Sequence, residues 1–266
     1  MTNEIVSLIP REIREAGFRE ARFLNEAEQA KYNEAIKSFG EKARKSLDIS
    51  PKGSNLFKVL FLNQIGIQTA TIPDLETALE NGMDLKGTYE DGCEIVLRSV
   101  GDSNKDNDYL VKDLAKKLKI KRMSNNSQII TGLGIKEDNT SAYGLIFDVT
   151  DKTNIIKASD FDHKNNGKNF LRINPDYSIE FAEKGNRTLY TKDNGVSRLY
   201  LGGGLYSGSD SRLLAGSNDN GRVVVVDGKA DAKKLEKYLI NLREERERQI
   251  AEIDKKYNTA LKLLKP

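Results

Sequence analysis

The sequence predicts an α+β fold, with helices in the first half of its body and short strands in the second. Two stretches carry the helical prediction, "IPDLETALENG" and "DNDYLVKDLAKKLKI". Seven strand-like runs follow, from "YGLIFDV" to "RVVVVD", and turn residues such as "NNG", "NPD" and "DNG" separate them. This segregation is typical of one α+β domain, which we place at residues 52–228.

Local signals support these elements in chain order. "NLFKVLFL" predicts a strand, and "CEIVLRSV" predicts another. Between them, Pro73 stands at a helix start, acidic residues follow in the first turn, and Gly82 is placed as the C-cap. The next helix has Asp108 as a possible N-cap. Its apolar face is formed by Tyr109, Leu110, Leu114 and Leu118.

Two charged segments flank this body, residues 1–51 and 229–266. Residues 11–47 predict one long helix with a narrow apolar stripe of Leu24, Tyr32, Ile36, Phe39, Ala43 and Leu47. Residues 231–264 predict a second, with Asp231 as N-cap and a stripe of Leu235, Leu239, Leu242, Ile250, Ile253, Tyr257, Leu261 and Leu264. Narrow stripes need a partner, either the other helix in an intramolecular hairpin or a second chain through self-association.

Composition excludes several classes of function. The 266 residues are 38% apolar and 31% charged, and no apolar run reaches the roughly 20 residues of a membrane span. A net charge of +3 gives no reason to expect nucleic acid or a membrane surface as partner. The N-terminal segment lacks the pattern of a signal peptide, so we expect a cytoplasmic protein. Display on a surface or a virion is the alternative.

Candidate catalytic and metal-binding residues are few. One histidine, His163, and one cysteine, Cys93, are too few ligands for a zinc site, and no cofactor is expected. Cys93 is interpreted as a small apolar core residue. His163 could belong to a catalytic dyad, but the acidic residues beside it could equally cap a turn. The basic run "KKLKIKR" at 116–122 is interpreted as a solvated helix end.

The glycine-rich stretch "GVSRLYLGGGLYSGSDSRLLAGSNDNGRVVVVDG" raises a sharper question. It contains neither the GxGxxG spacing nor the GxxxxGK[ST] lysine, and no helix is predicted after it to bind a phosphate. A nucleotide-binding loop is therefore not expected. Near its end, Asn218, Asp219 and Asn220 could bind calcium or simply form a turn before the valine strand.

The composition of this stretch is unusual. Its 36 residues from Asp193 to Gly228 contain no Lys, Glu, Gln or Met. The whole chain has 28 Lys, 20 Glu, 5 Gln and 3 Met, so an even distribution would place about seven or eight of them there. A soluble surface has no obvious physical reason to use Asp, Arg, Asn and Ser while avoiding Lys and Glu.

With "IPDLETALENGMDL" and "NDYLVKDLAKKL", this stretch resembles the variable proteins of diversity-generating retroelements, closest to the archaeal and candidate-phylum type. In that family a reverse transcriptase substitutes bases opposite template adenines, mostly in AAC-like codons that cannot encode Lys, Glu, Gln, Met or Trp. The resemblance covers residues 55–228, with a variable region at about 195–226. It implies a C-type lectin fold of the formylglycine-generating-enzyme-like branch. The Gly-Gly-Ser-Trp signature of better-known bacterial members is absent.

The resemblance implies which residues form the frame and which are displayed. The frame would comprise Leu199, Leu201, Leu205, Leu214 and Ser217, with 221–226 as a closing strand anchored by Val223 to Val226. The diversified, ligand-binding positions would be Tyr200, Gly202, Gly203, Gly204, Tyr206, Gly208, Asp210, Ser211, Arg212, Ala215, Gly216, Asn218, Asp219 and Asn220.

The function implied is that of a hypervariable, non-enzymatic protein that binds a protein or another macromolecule. Tyr200 and Tyr206 would supply contact area at low entropic cost, and Arg212 is a candidate hot spot. The flanking helices would form an antiparallel coiled-coil stalk. Two alternatives stay open: a phage-type structural or attachment protein, and an enzyme of the formylglycine-generating branch. A single cysteine disfavours the enzyme.

Overall fold

A computed structural model describes residues 20–123 and 126–227, together with 248, 250, 251 and 253–257. The chain divides into two compact units, Glu20–Asp227 and a second unit made of Met1–Arg19 and Gly228–Pro266. In the second unit the described residues are helical, and Ile250, Ile253 and Tyr257 are exposed there. Most of the predicted C-terminal helix therefore lies outside the described residues. Among those described, no helix is both long and apolar enough to cross a bilayer.

The unit Glu20–Asp227 has a mixed α+β fold, as the sequence predicts. Its helices are α1 (Glu26–Ala35), α2 (Glu41–Leu47), α3 (Leu56–Gln64), α4 (Ile72–Glu80) and α5 (Lys105–Lys117). Helix α4 begins as predicted, with a proline in its first turn, and a capping box joins Thr71 to Asp74. The N-cap of α5 is Asn104 instead of Asp108, because the Asn104 side chain accepts the Asp106 amide.

The long helix predicted over 11–47 is wrong in its described part. Glu20–Phe23 forms strand β1, and the helical residues after it are split between α1 and α2 by a short 3-10 turn and Gly40. The apolar stripe is buried inside the domain instead of waiting for a partner helix: Tyr32, Ile36, Ala43 and Leu47 are each no more than 1% exposed. This segment thus belongs to the globular body.

The strand predicted at "NLFKVLFL" is also wrong, because these residues form α3. All seven residues from Leu56 to Leu62 are buried, so the helix has no polar face and its sequence lacks the helical period. The available signal was Asn55, whose side chain accepts the Lys58 amide as an N-cap. Lys58 itself is fully buried and donates from Nζ to the Ser50 carbonyl at 2.6 Å.

Eight strands form one large curled sheet in the order β6-β3-β2-β10-β11-β9-β7-β8. Their bounds are β2 (Glu90–Leu97), β3 (Gln128–Thr131), β6 (Asn154–Lys157), β7 (Asn169–Ile173), β8 (Ile179–Phe181), β9 (Arg187–Thr191), β10 (Val196–Leu201) and β11 (Ser207–Ser209). Pairing is antiparallel except between β9 and β11. Strands β4 (Gly134–Glu137) and β5 (Leu145–Asp148) form a separate antiparallel pair.

The two ends of the domain pair with each other. Strand β1 runs antiparallel to β12 (Val224–Asp227), with Phe23 opposite Val224. The predicted anchoring of the valine run is confirmed, since Val223 to Val226 are all at most 4% exposed. Val225 packs in one apolar core with α1, α3 and α5, while Val224 and Val226 pack in a second with α4 and β7. Burial on both faces explains a strand of continuous valines.

Candidate binding surface

The glycine-rich stretch forms two structures with different geometry. The first is the hairpin β10–β11, in which Tyr200 pairs with Gly208 and Leu201 with Ser207. Its turn is closed by the Gly202 amide, which donates to the Tyr206 carbonyl at 2.9 Å. The second is a long loop over 210–221, which leads into the buried valines. We call these the hairpin and the long loop.

Tyrosine side chains pack edge to face across the hairpin. Tyr190 on β9 contacts Tyr206 with ring centroids 5.3 Å apart, Tyr206 contacts Tyr200 at 6.1 Å, and Tyr200 contacts Tyr89 at 6.3 Å. Edge-to-face packing at these distances is favourable beyond the area it buries. Tyr190 is 40% exposed, Tyr200 and Tyr206 are partly buried, and Tyr89 lies beneath them. The four rings therefore form one ladder from the surface inward.

Two glycines provide the space for this ladder. A Cβ atom at Gly202 would lie 2.1 Å from Cζ of Tyr206, and one at Gly208 would lie 2.2 Å from Cζ of Tyr200. Neither glycine has the left-handed backbone that would itself require glycine. Each is needed here because an aromatic ring occupies the volume of its missing side chain.

Hydrogen bonds from outside the long loop hold its main chain. Asn107 on α5 donates from Nδ2 to the Arg212 carbonyl at 3.0 Å. Arg198 on β10 donates from Nη1 to the Gly216 carbonyl at 2.8 Å. Both anchoring side chains are buried. Their acceptors are backbone atoms, so these two bonds do not depend on which side chain the loop carries.

The second half of the loop is held in the same way. The Tyr89 hydroxyl accepts the Asn218 amide at 2.9 Å and donates to the Ser54 carbonyl at 3.0 Å. The Gly53 amide donates to the Gly221 carbonyl at 2.7 Å. Leu214 is fully buried and supplies the apolar attachment between these two halves. Together the contacts fix the backbone path of the loop against the domain.

Arg198 is the central anchor. Its Nη1 lies 3.1 Å from Oδ1 and 3.2 Å from Oδ2 of Asp91, which is 2% exposed. Its guanidinium lies 5.4 Å from the Tyr89 ring centroid and 4.8 Å from that of Tyr200. Burial raises the pKa of the Asp91 carboxyl, and the charge of Arg198 opposes that rise. Burial also raises the pKa of Tyr200, so its phenol is neutral at physiological pH.

The structure places the fourteen predicted display positions at three depths. Six are exposed: Gly204, Asp210, Arg212, Asn218, Asp219 and Asn220. Six are partly buried: Tyr200, Gly203, Tyr206, Ser211, Ala215 and Gly216. Two are buried under tyrosine rings: Gly202 and Gly208. Of the residues assigned to the frame, Leu199, Leu201 and Leu214 are buried, while Leu205 and Ser217 are partly buried.

Two residues of this surface escaped the sequence prediction. Tyr190 precedes the compositional boundary at Asp193, so nothing in the local pattern marked it, although it ends the tyrosine ladder. Leu213 is 66% exposed beside the anchored Arg212 carbonyl, an unusual position for leucine. The anchors Asn107 and Arg198 were also missed, as was Asn55, whose Nδ2 donates to the Ala215 carbonyl at 3.4 Å, because only the fold brings them beneath the loop.

Of the remaining candidates, His163 and Cys93 lie apart from this surface, and Asn218 forms a turn within it. His163 is exposed in a 3-10 turn, and the Asp162 carboxylate beside it accepts the Ser127 amide at 2.6 Å. The Cys93 thiol packs against the apolar core, where burial raises its pKa and disfavours a reactive thiolate. Asn218 Oδ1 accepts the Asn220 amide at 2.9 Å, which forms a turn.

In the part of the chain that the structure describes, no three His, Cys, Asp or Glu side chains are grouped as metal ligands would be. Comparisons with protein-family models, with curated proteins and with solved structures find no match to this chain.

Proposed function

We propose that this protein is a hypervariable binding protein that presents the hairpin and the long loop to a protein or another macromolecular ligand. The observation that carries the proposal is the way the long loop is held. Asn107 and Arg198 bind its main-chain carbonyls, and Tyr89 binds a main-chain amide. A loop fixed through its backbone can change its exposed side chains without losing its shape, which is the requirement for a paratope.

The absence of Lys, Glu, Gln and Met from 193–228 supports diversification by a retroelement, because adenine-directed mutagenesis of AAC-like codons would leave that bias. The proposed fold is the C-type lectin fold of the resembling family. The antiparallel pairing of β1 with β12 supports it, since the terminal strands of that fold pair in this way. A coiled-coil stalk stays part of the proposal for residues 1–19 and 228–266 alone, because residues 20–47 pack in the domain.

The first experiment tests whether exposed positions of the hairpin turn and the long loop tolerate substitution. A variant with four substitutions at exposed positions, Gly204→Ser, Asp210→Tyr, Arg212→Ser and Asp219→Tyr, is compared with the parent by thermal unfolding. Surface changes of this kind each alter stability by about 0.5 kcal/mol or less, so we expect a Tm within about 5 °C of the parent. The comparison variant, Asn107→Ala with Arg198→Met, removes two side chains that hold the loop backbone and should lose more. Equal losses in the two variants would contradict the proposal.

The second experiment reads the DNA around the gene. Diversification predicts a reverse-transcriptase gene and a near-copy of codons 195–226 that differs mainly at adenines. The mismatches would then identify the displayed positions codon by codon. If neither is present, retroelement diversification at this locus is refuted, while binding by the same surface remains testable by selection.

Selection tests binding itself. A library randomised at the six exposed positions would be selected against purified proteins, with a second library randomised at exposed lysines of α5 as the control surface. We expect binders of micromolar affinity or better from the first library and none from the second. Equal yields from both libraries would show that the anchored loop has no special capacity to bind.

A further inference from the structure

The hairpin and the long loop differ in how far their side chains are constrained. In the long loop, the anchors bind backbone atoms and leave the exposed side chains unconstrained. In the hairpin, two rings lie on two glycines, Tyr206 on Gly202 and Tyr200 on Gly208, where an added Cβ would approach Cζ to 2.1 Å and 2.2 Å. Real Cβ atoms do not approach carbon atoms so closely, so a side chain at either glycine and the ring in its present place exclude each other.

The backbone does not explain these glycines. Gly53, Gly66 and Gly195 have positive φ angles, as glycine requires in left-handed turns, but Gly202 and Gly208 do not. An alanine could therefore adopt the backbone of either position. Only the ring prevents a side chain at either glycine, so a side chain should be tolerated once the ring is removed or displaced.

The neighbouring glycines of the triplet differ. A Cβ at Gly204 would lie 3.8 Å from Cδ1 of Tyr206, and one at Gly203 would lie 3.4 Å from backbone atoms of Gly87 and Thr88. The first is an ordinary van der Waals distance and the second is close to one. Three consecutive glycines thus have different roles, and only Gly202 is coupled to a tyrosine.

We propose that the hairpin part of the binding surface varies in two coupled pairs, 202 with 206 and 208 with 200, instead of position by position. This inference rests on the proposed function and specifies which recognition surfaces the site can form. Where position 202 or 208 is glycine, its partner can carry a seated ring that belongs to the aromatic ladder. Where it carries a side chain, the partner ring is turned out of the ladder or replaced by a small residue.

The consequence is that the residue at 202 or 208 sets what the ligand meets. With glycine at both, as here, the ligand meets a rigid aromatic ridge whose rings are held by Tyr190 on one side and by Tyr89 with Arg198 on the other. Rings that are already ordered lose little entropy on binding. With a side chain at either position, the same place presents a mobile ring or none.

Nuclear Overhauser contacts between tyrosine rings test the coupling. In Gly202→Ala we expect the Tyr206–Tyr190 contact to be lost while the Tyr200–Tyr89 contact persists. In Gly208→Ala we expect the Tyr200–Tyr89 contact to be lost while the Tyr206–Tyr190 contact persists. Gly204→Ala is the matched control and should keep both contacts. If both contacts persist in all three variants, with unchanged Tm, the coupling is refuted.

A double-mutant cycle decides the case in which Gly202→Ala is too unstable for its ring contacts to be assigned but still unfolds with a measurable Tm. Gly202→Ala with Tyr206→Ser removes the ring that occupies the site, so the pair should recover most of the Tm lost in Gly202→Ala alone. An additive loss would mean that the backbone requires glycine, and it would overturn the proposal. Tolerance of the long loop is measured at other positions, so the coupling can fail while the proposed function stands.

Discussion

The hairpin and the long loop lie side by side in one glycine-rich stretch, yet their side chains are constrained in different ways. Arg187 holds the main chain of the hairpin turn at the Leu205 carbonyl, but two ring positions there are also fixed by contact, such as the Tyr206 ring against Tyr190 of β9 and Gly202. The long loop keeps its form through backbone atoms bound by Asn107 and Arg198. A surface intended to vary can therefore vary freely where the anchors bind backbone and only in pairs where rings seat on glycines.

The largest expected effect comes from breaking the central anchor. Arg198→Met removes the hydrogen bond to the Gly216 carbonyl and leaves the buried Asp91 carboxylate without its cation. Removal of one partner of a buried ion pair costs about 3–5 kcal/mol, and we expect a loss of this size in urea unfolding. Arg212→Met is the matched control: that side chain is exposed, so the change should be about 0.5 kcal/mol or less. Equal losses would show that Arg198 is not an anchor.

Substitution of the other loop anchor, Asn107, should give a smaller and more local effect. Asn107→Ala removes the donor to the Arg212 carbonyl and the acceptor of the Tyr143 hydroxyl, for a loss of about 1–3 kcal/mol. Tyr143→Phe removes only the second bond and is the control. Hydrogen exchange at the Gly216 amide, which donates to the Leu213 carbonyl, should accelerate in Asn107→Ala and not in Tyr143→Phe. Equal acceleration in both would contradict a backbone anchor at Asn107.

How much of the structure can be predicted from the sequence depends on whether the contacts that decide an element are local in the chain or distant. The strand-like runs from "YGLIFDV" to "RVVVVD", and "CEIVLRSV" before them, each overlap an observed strand, whereas β1, β3, β4 and β11 were not predicted. Helix α3 was missed because Leu56 to Leu62 are buried on every side, and the helix over 11–47 was overextended because Gly40 and the 3-10 turn before it were not recognised as a break. The first error arises where burial on every side removes the helical period, and the second where a local break in the chain was overlooked.

The candidate surface shows the same limit. Composition marked the stretch from Asp193, and exposed residues such as Asp210 and Asp219 lie within it. Tyr190, three residues before the boundary, has no local signal and joins the surface only through the pairing of β9 with β11. The contact of Asn107 with the Arg212 carbonyl spans 105 residues and cannot be inferred from either end.

Two buried carboxyl groups on β2, those of Glu90 and Glu94, should make the stability of the protein depend on pH. Glu90 pairs with Leu201 at the base of the hairpin, and burial raises its pKa from 4.5 to about 7. Burial also raises the pKa of Glu94, which lies beneath α4, to about 7. Because the folded protein binds these protons more strongly, this contribution to stability is complete below about pH 4.5 and is lost as the pH rises through 7.

We therefore expect the free energy of unfolding to fall between pH 5 and pH 8, by about 2–3 kcal/mol for each of the two carboxyls. Glu90→Gln and Glu94→Gln should each flatten part of this dependence, and the double variant should flatten most of it. Unfolding in urea at several pH values measures the effect. A dependence unchanged in the double variant would show that these two carboxyls do not titrate in this range.

The smallest expected effect is that of a substitution at Gly204, which we compare with the same substitution at Gly221, a glycine in different surroundings. Gly204 is exposed, and a Cβ there would meet only the edge of Tyr206 at 3.8 Å, whereas one at buried Gly221 would lie 2.5 Å from the Ser54 amide nitrogen. Neither has a left-handed backbone. Gly204→Ala should stabilise the protein by about 0.4–1 kcal/mol, because alanine restricts the unfolded chain. Gly221→Ala should destabilise it by about 1–3 kcal/mol, because backbone atoms must move. Unfolding in urea measures both, and a loss at Gly204 as large as that at Gly221 would mean that the tip of the hairpin is as constrained as the end of the loop. The contrast between these two glycines would then disappear, because the fold would fix the exposed Gly204 as firmly as the buried Gly221.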